Sequence, residues 1–291
     1  MVAEQVKFWS EGTRLAGDLY RPRDDAGDGP RPAIVLCHGW GGTKEHLRNI
    51  GLGDKLAAAG YVVLAFDYRG WGESDGKVIV LDDLPAERTE TTVRVRVIRE
   101  VVDPFDELWD VRHAIDYIEG EPDVDVGRIG IWGSSYGGGL VVWTAAHDPR
   151  VRCAVSQVGG MDSHSLNATD AREAMHRAAI RQARGEVEPV PQDNDDDARL
   201  SGTPHRSKMY YWGPVEFAEE IDVPLLLIDA EHEELFDRHR NSGLVYERMK
   251  GAGNAPIEYR VIEGITRYQV YNDRFDEASD LALDWFDRQL K

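Results

Sequence analysis

Cysteine is scarce in this sequence, and lysine is scarce beside arginine. Cys37 and Cys153 are the only thiols, each inside an apolar, strand-like run. Two isolated thiols so placed are packing residues, which excludes a disulfide framework or a thiolate metal site. No apolar run approaches the ~20 residues that would cross a bilayer. The opening residues, Met1 to Lys7, have neither a basic nor an apolar region of the signal-peptide kind, so a cytoplasmic location is expected. The histidines form no H-E-x-x-H pattern or other clustered ligand spacing. No glycine motif matches a nucleotide fingerprint, because Gly70-x-Gly72 lacks the third glycine and precedes no clear helix. Neither metal nor cofactor is expected. Positive charge is also short: the formal net charge is −19, which argues against nucleic acid, since binding phosphate needs a basic surface. An acidic, lysine-poor surface suits a soluble enzyme, and equally a protein that stays soluble in brine.

What is present is enough apolar residue for a large core, 42% of 291 residues. Strand and helix patterns alternate, which predicts an α/β fold: a mostly parallel sheet of about eight strands with helices on both faces. Residues 6–10 and 15–20 read as an antiparallel pair joined at Gly12. Buried strands follow at 33–37, 61–66, 128–132, 152–158, 225–230 and 258–262. Helices are predicted at 47–59, 106–119, from the turn at 133–137 to 147, and at 273–289. Residues 77–102 are charged and β-branched and fit no element. Between 158 and 223 no strand pattern is visible, too long a gap for a plain connection. Residues 160–215 therefore read as a helical cap inserted into a core made of 1–159 and 216–291. The cap holds an acidic low-complexity patch at 192–198. Its second half carries Met209, Tyr210, Tyr211 and Trp212, apolar bulk that wants burial and would shape an acyl pocket.

Gly133-Ser134-Ser135-Tyr136-Gly137 fits G-x-S-x-G, between a buried strand and a small-residue helix. That context is what the motif requires: a strained turn presents the serine above the sheet, and the flanking glycines let strand and helix approach. Ser134 has the wrong spacing to the glycines, so Ser135 is the candidate nucleophile. His38-Gly39-Trp40-Gly41-Gly42 follows the first buried strand directly. Its glycines allow main-chain amides to turn inward, so the N–H groups of Trp40 and Tyr136 are the candidate oxyanion donors. His38 reads as a brace for this loop.

Together with Asp67-Tyr68-Arg69-Gly70-Trp71-Gly72-Glu73-Ser74, these motifs resemble the α/β-hydrolase superfamily. The similarity is to dienelactone-hydrolase-like enzymes, to relatives of cocaine esterase and X-Pro dipeptidyl peptidases, and to fungal polyketide thiohydrolases and transferases. It covers nearly the whole chain except the cap. The resemblance implies an acid after the strand that follows the cap, in Asp229-Ala230-Glu231-His232-Glu233-Glu234-Leu235-Phe236-Asp237. Glu233 best fits that place, with Asp229 and Asp237 as alternatives. The resemblance also implies a base histidine after the last strand, and there the sequence departs from it: Gly264-Ile265-Thr266-Arg267 puts arginine in that position. Guanidinium cannot accept a proton at neutral pH. Beside Glu233 it would form a bidentate ion pair.

Three accounts follow. Arg267 silences an otherwise ordinary hydrolase; or His232, His205 or His239 takes the base role; or Arg267 grips an anionic substrate. The expected function is serine ester hydrolysis, with thioester or amide cleavage as variants, impaired by Arg267. An acyltransferase and a non-catalytic binding protein are the alternatives. The expected partner is a small acyl compound, with no membrane and at most a second copy of the chain.

Overall fold

The structure, a computed structural model, describes residues 3–22, 29–162, 169–188, 190 and 200–291. Its centre is an eight-stranded sheet. The strands are β1 (Glu4–Ser10), β2 (Thr13–Tyr20), β3 (Arg31–Cys37), β4 (Val62–Phe66), β5 (Val124–Ser134), β6 (Val151–Gln157), β7 (Leu225–His232) and β8 (Ile257–Thr266). They lie side by side in the order β1-β2-β4-β3-β5-β6-β7-β8. β2 pairs antiparallel with both β1 and β4, and every later pairing is parallel. The α/β architecture expected from the sequence is the one observed.

Side-chain alternation explains why the central strands read as unbroken apolar runs. Ala33, Val35 and Cys37 of β3 point into one core layer, while Ile34 and Leu36 point into the other. A strand covered on both faces needs apolar residues at every position. The first layer is closed by α3 (Pro104–Glu119), α4 (Tyr136–His147) and α7 (Ser242–Ala252). The second is closed by α1 (Lys44–Asn49), α2 (Leu52–Ala58) and α8 (Phe275–Leu290). Asp103 caps α3, its side chain accepting from the Asp106 N–H at 3.2 Å, with Pro104 in the first turn where no donor is missed.

Three local expectations need correction. The single helix expected at 47–59 is two helices, because Gly51 at φ +77° takes a left-handed conformation that ends the first and starts the second. The unassigned stretch 77–102 contains an antiparallel hairpin, Val78–Val80 against Val95–Val97. Within residues 160–215, Thr203–Pro204 pairs in parallel with Val101–Val102. Two residues are too few to leave a period-two pattern. The described residues of this stretch also form α5 (Thr169–Ala183), α6 (Arg206–Met209) and the start of a 3-10 helix, Pro214–Glu220. The acidic patch at 192–198 lies outside the described residues. Among the described residues no helix is long and apolar enough to cross a membrane.

The parallel strands end together at one edge, where β5 passes into α4 with no intervening loop. Gly137 makes that possible: a Cβ there would stand 2.4 Å from the carbonyl oxygens of both Cys37 and His38. Main-chain atoms cannot swing aside as a side chain can. Gly137→Ala is therefore expected to cost about 1–3 kcal/mol or more, read as a lower urea midpoint at unchanged slope. An unchanged midpoint would contradict the packing described.

Candidate active site

Ser135 sits at the corner between β5 and α4 with φ 59° and ψ −125°. An L-residue reaches that region only against steric resistance. Three main-chain hydrogen bonds hold it there. Its N–H donates to the Gln157 carbonyl at 2.9 Å, and its carbonyl accepts from Gly138 and Gly160 N–H, both at 2.9 Å. Gly133 is spatially obligatory, since a Cβ there would meet the Gly137 oxygen at 2.3 Å, and Gly39 is tightly packed, a Cβ there meeting the Ser135 Cβ at 3.0 Å. Ser134 is committed elsewhere, its Oγ donating to the Gln157 carbonyl at 3.2 Å and lying 2.6 Å from the Tyr271 hydroxyl.

The loop after β3 faces this corner. Among the described residues the main-chain N–H groups of Trp40 and Tyr136 have no acceptor. The Trp40 indole N–H donates to the Ser201 carbonyl at 3.1 Å, tying the loop to a segment far along the chain. The rings of Trp40 and Trp212 each lie 5.8 Å from that of Tyr136. His38 is buried and braces the loop, with Nδ1 2.9 Å from the Gly39 carbonyl and Nε2 accepting from Tyr68 N–H at 3.5 Å. Burial lowers its pKa to about 4, so the ring is neutral at ordinary pH.

The motif at 67–74 is a scaffold for the same edge. Asp67 accepts from the Lys44 N–H at 2.7 Å and from the Glu73 N–H at 2.9 Å, joining the start of α1 to the turn after β4. Gly72 is required because a Cβ would stand 2.2 Å from an Asp67 oxygen. Arg69 reaches across to α3, where Nε and Nη2 donate to Asp110 Oδ1 at 2.9 and 2.7 Å.

Arg267 and Glu233 meet in the interior. Their side chains are 1% and 3% exposed, with Nη1 donating to Glu233 Oε2 at 2.5 Å. The pair is not the bidentate one the sequence suggested. Nη2 donates instead to the Val158 carbonyl at 3.0 Å, and Glu233 Oε1 accepts from the Glu234 and Leu235 N–H groups at 3.0 and 2.9 Å. The guanidinium also lies over the Phe236 ring at 4.6 Å. Val158 follows Gln157, the acceptor of the Ser135 N–H, and is itself at φ 41°, costly for a β-branched residue. Arg267 therefore holds the strand end that also holds the serine. Sequence reasoning missed Val158, Tyr271 and the role of Phe236; only the glycine pair after Val158 hinted at a sharp turn there.

Of the other candidates, His232 stands at the end of β7 opposite Thr266, and the rest lie apart. Asp237 caps the His239 N–H at 2.9 Å on the surface. His232 and His239 are exposed. His205 is buried in another cluster beside Asp103 and Lys208, with Nδ1 3.0 Å from Ser207 Oγ. Met209 and Trp212 are buried, 7% and 5% exposed, and Trp212 packs beside Gly139 of α4. Tyr210 packs partly against the core, while Tyr211 is 68% exposed, so the burial expected for Tyr211 is not found. Tyr211 follows the short α6 on the side facing solvent, where its ring lies edge-on to Tyr210 at 4.8 Å. Among the described residues no three His, Cys, Asp or Glu side chains gather as a metal would need.

The strand order and the serine corner define an α/β-hydrolase. The pattern of the X-Pro dipeptidyl-peptidase (S15) family matches residues 11–253, and the chain belongs to that family. It is 33% identical over 160 residues to quorum-quenching protein AidA of Acinetobacter baumannii, covering 55% of this chain and 45% of that protein. It is 30% identical over 153 residues to thiohydrolase aneE of Aspergillus aculeatus, covering 52% and 40%. The matched part thus spans less than half the length of these curated relatives. The α/β hydrolase GrgF of Penicillium sp. sh18 shares the fold over 100% of this chain and 99% of its own, with a TM-score of 0.76 at 18% identity.

Asp229 is the remaining acid near the site, wholly buried on β7. It accepts from Tyr259 Oη at 2.8 Å and from Ser242 Oγ at 3.1 Å. Burial raises its pKa to about 6, against the pull of those two donors. A carboxyl that holds its proton more tightly when folded stabilises the fold at low pH and loses that contribution as pH rises through about 6. The stability of the natural chain relative to Asp229→Asn is expected to fall by up to about 3 kcal/mol between pH 4 and pH 7.5. Urea denaturation of both chains at the two pH values measures it. A constant difference would contradict the raised pKa.

Proposed function

We propose that this chain carries the acyl-binding and nucleophile machinery of a serine ester or thioester hydrolase, with its chemistry held back at residue 267. Ser135 is the nucleophile, and the amides of Trp40 and Tyr136 are the donors for the oxyanion. Glu233 occupies the place of the acid that would orient an imidazole. The observation that carries the reading is the Arg267–Glu233 pair at 2.5 Å, buried where the base should stand. Attack by Ser135 on a carbonyl carbon requires its proton to pass to a base, and guanidinium has no lone pair to offer at neutral pH. Water is then the only acceptor, so turnover is slow while binding persists.

Two rival accounts have less support. Gripping an anionic substrate needs exposed donors, yet Arg267 is 1% exposed and both its terminal nitrogens already donate within the fold. Replacement of the base by another histidine has His232 as its nearest candidate in the fold, opposite Thr266 at the end of β7, but that ring is exposed and no hydrogen bond links it to Ser135 or Glu233 among those of the described residues, while His205 belongs to the Asp103 and Lys208 cluster. The thiohydrolase named among the relatives makes thioesters a natural member of the substrate panel beside esters.

Arg267→His is expected to raise kcat on p-nitrophenyl esters by orders of magnitude, with about six as the ceiling set by loss of the base in a serine protease. Adding Ser135→Ala should return activity to the starting level. The same Arg267→His change should lower stability by about 1–3 kcal/mol, because the Val158 carbonyl loses its donor. Ester and thioester turnover measured on the single and double variants decides it. No gain with any ester in a folded Arg267→His chain would overturn the proposal.

A further inference from the structure

After the motif at 67–74 the chain forms the hairpin in which Val78–Val80 pairs with Val95–Val97. Within residues 77–100 only Ile98 is buried. The register sets Val78 opposite Val97 and Val80 opposite Val95, so the four valines share one face, with Ile79 and Arg96 on the other. That second face is in use, since Arg96 pairs with Glu188 at 2.9 Å. The valine face is bare, its members 38% to 55% exposed. At the hairpin's root Val78 and Val97 also line an open groove of about 860 Å³, together with Glu11 to Arg14 at the β1–β2 turn. Beyond the first hairpin strand, Leu81 and Leu84 are 46% and 62% exposed. A two-stranded hairpin is marginal in water unless its apolar face is covered.

We propose that the valine face is where a second copy of this chain docks, in a two-fold contact of hairpin on hairpin. Charge selects the partner. The chain carries −19 as a whole, so two copies repel over most of their surface. Residues 77–100 are different, with five basic and five acidic side chains. Four of those basic side chains are already engaged: Arg94 by Asp82 at 2.8 Å, Arg96 by Glu188, Lys77 by Asp106, and Arg99 by the Gly72 and Ser74 carbonyls at 2.7 and 3.0 Å. In the groove, Arg14 pairs with Asp75 at 3.1 Å. An anionic partner therefore finds little here to hold, and a cationic one is drawn to the acidic remainder of the surface. A copy suits a neutral apolar patch. In a two-fold contact each residue is used twice, so one hairpin supplies both an apolar face, the valines, and the side chains to set on it, Leu81 and Leu84. One face of so short an element falls below the roughly 20–30 residues a side of a standard interface, so the dimer is weak and reversible. It requires nothing of Ser135.

Sedimentation equilibrium of the full chain, from about 1 µM to a few hundred µM, tests this. A monomer–dimer equilibrium with its midpoint inside that range is expected. Val97→Asp buries a charge at the contact and should weaken dimerisation at least tenfold. Leu84→Asp should do the same, and because it lies outside the paired strands it gives the reading should the first variant not fold. Val126→Asp is the control: it adds the same charge at a valine 52% exposed, at the start of β5 and so at the other end of the sheet, and should leave the equilibrium where it is. A dimer that survives both hairpin changes, or that Val126→Asp weakens equally, overturns the proposal. A chain monomeric throughout also overturns it, whether or not it floats with phosphatidylcholine vesicles, the remaining apolar occupant of the face.

Discussion

Steric crowding at the β5–α4 corner organises this molecule. Cβ atoms are excluded at Gly133 and Gly137 because main-chain oxygens occupy the space, and crowded at Gly39 by the serine itself. The backbone can therefore pass from sheet to helix within one residue, and that residue, Ser135, must take a positive φ. Strain of this kind persists only when the surroundings over-determine it. Here the constraint comes from the Gln157 carbonyl, the Gly138 and Gly160 amides, and two core layers that clamp β5 on both faces. The scaffold motif at 67–74 serves the same end from the other side, since Asp67 ties the start of α1 to the turn after β4.

Electrostatics at the corner follow from burial. A carboxylate at 3% exposure is tolerated only if its lone pairs are met, and Glu233 has two main-chain amides and the Arg267 guanidinium. Removing either charged partner alone would leave the other desolvated, a loss of about 3–5 kcal/mol in comparable pairs. Position 267 is thus under two demands. It donates to Glu233 within the fold, and under the proposed reading a working triad would also require it to accept a proton from serine. Arginine meets the first demand better than histidine, because it also reaches Val158, and cannot meet the second.

Much of this was legible in the sequence, for physical reasons that differ by element. The central strands were read correctly because burial on both faces leaves continuous apolar runs such as Ala33 to Cys37. The serine corner was read because only glycine fits its neighbours. What escaped was whatever depends on contacts distant in sequence. The Val158 carbonyl as the second partner of Arg267, and the Ser134 to Tyr271 hydrogen bond spanning more than a hundred residues, have no local signature. The break at Gly51 was missed because a helical pattern continues across it. Tyr211 was misjudged because apolar bulk in sequence does not reveal which side of a short helix faces water.

The two polar features near the serine are coupled through neighbouring residues of one strand end and one helix start. Arg267 acts on Val158, and through the adjoining Gln157 carbonyl on the Ser135 amide. Glu107 faces the hydroxyl of Tyr136, the residue whose own amide lies beside Ser135. Arg267 and Glu107 share no hydrogen bond, so a change at position 267 removes the contacts to Glu233 and Val158 and leaves the Glu107 and Tyr136 side chains as they are.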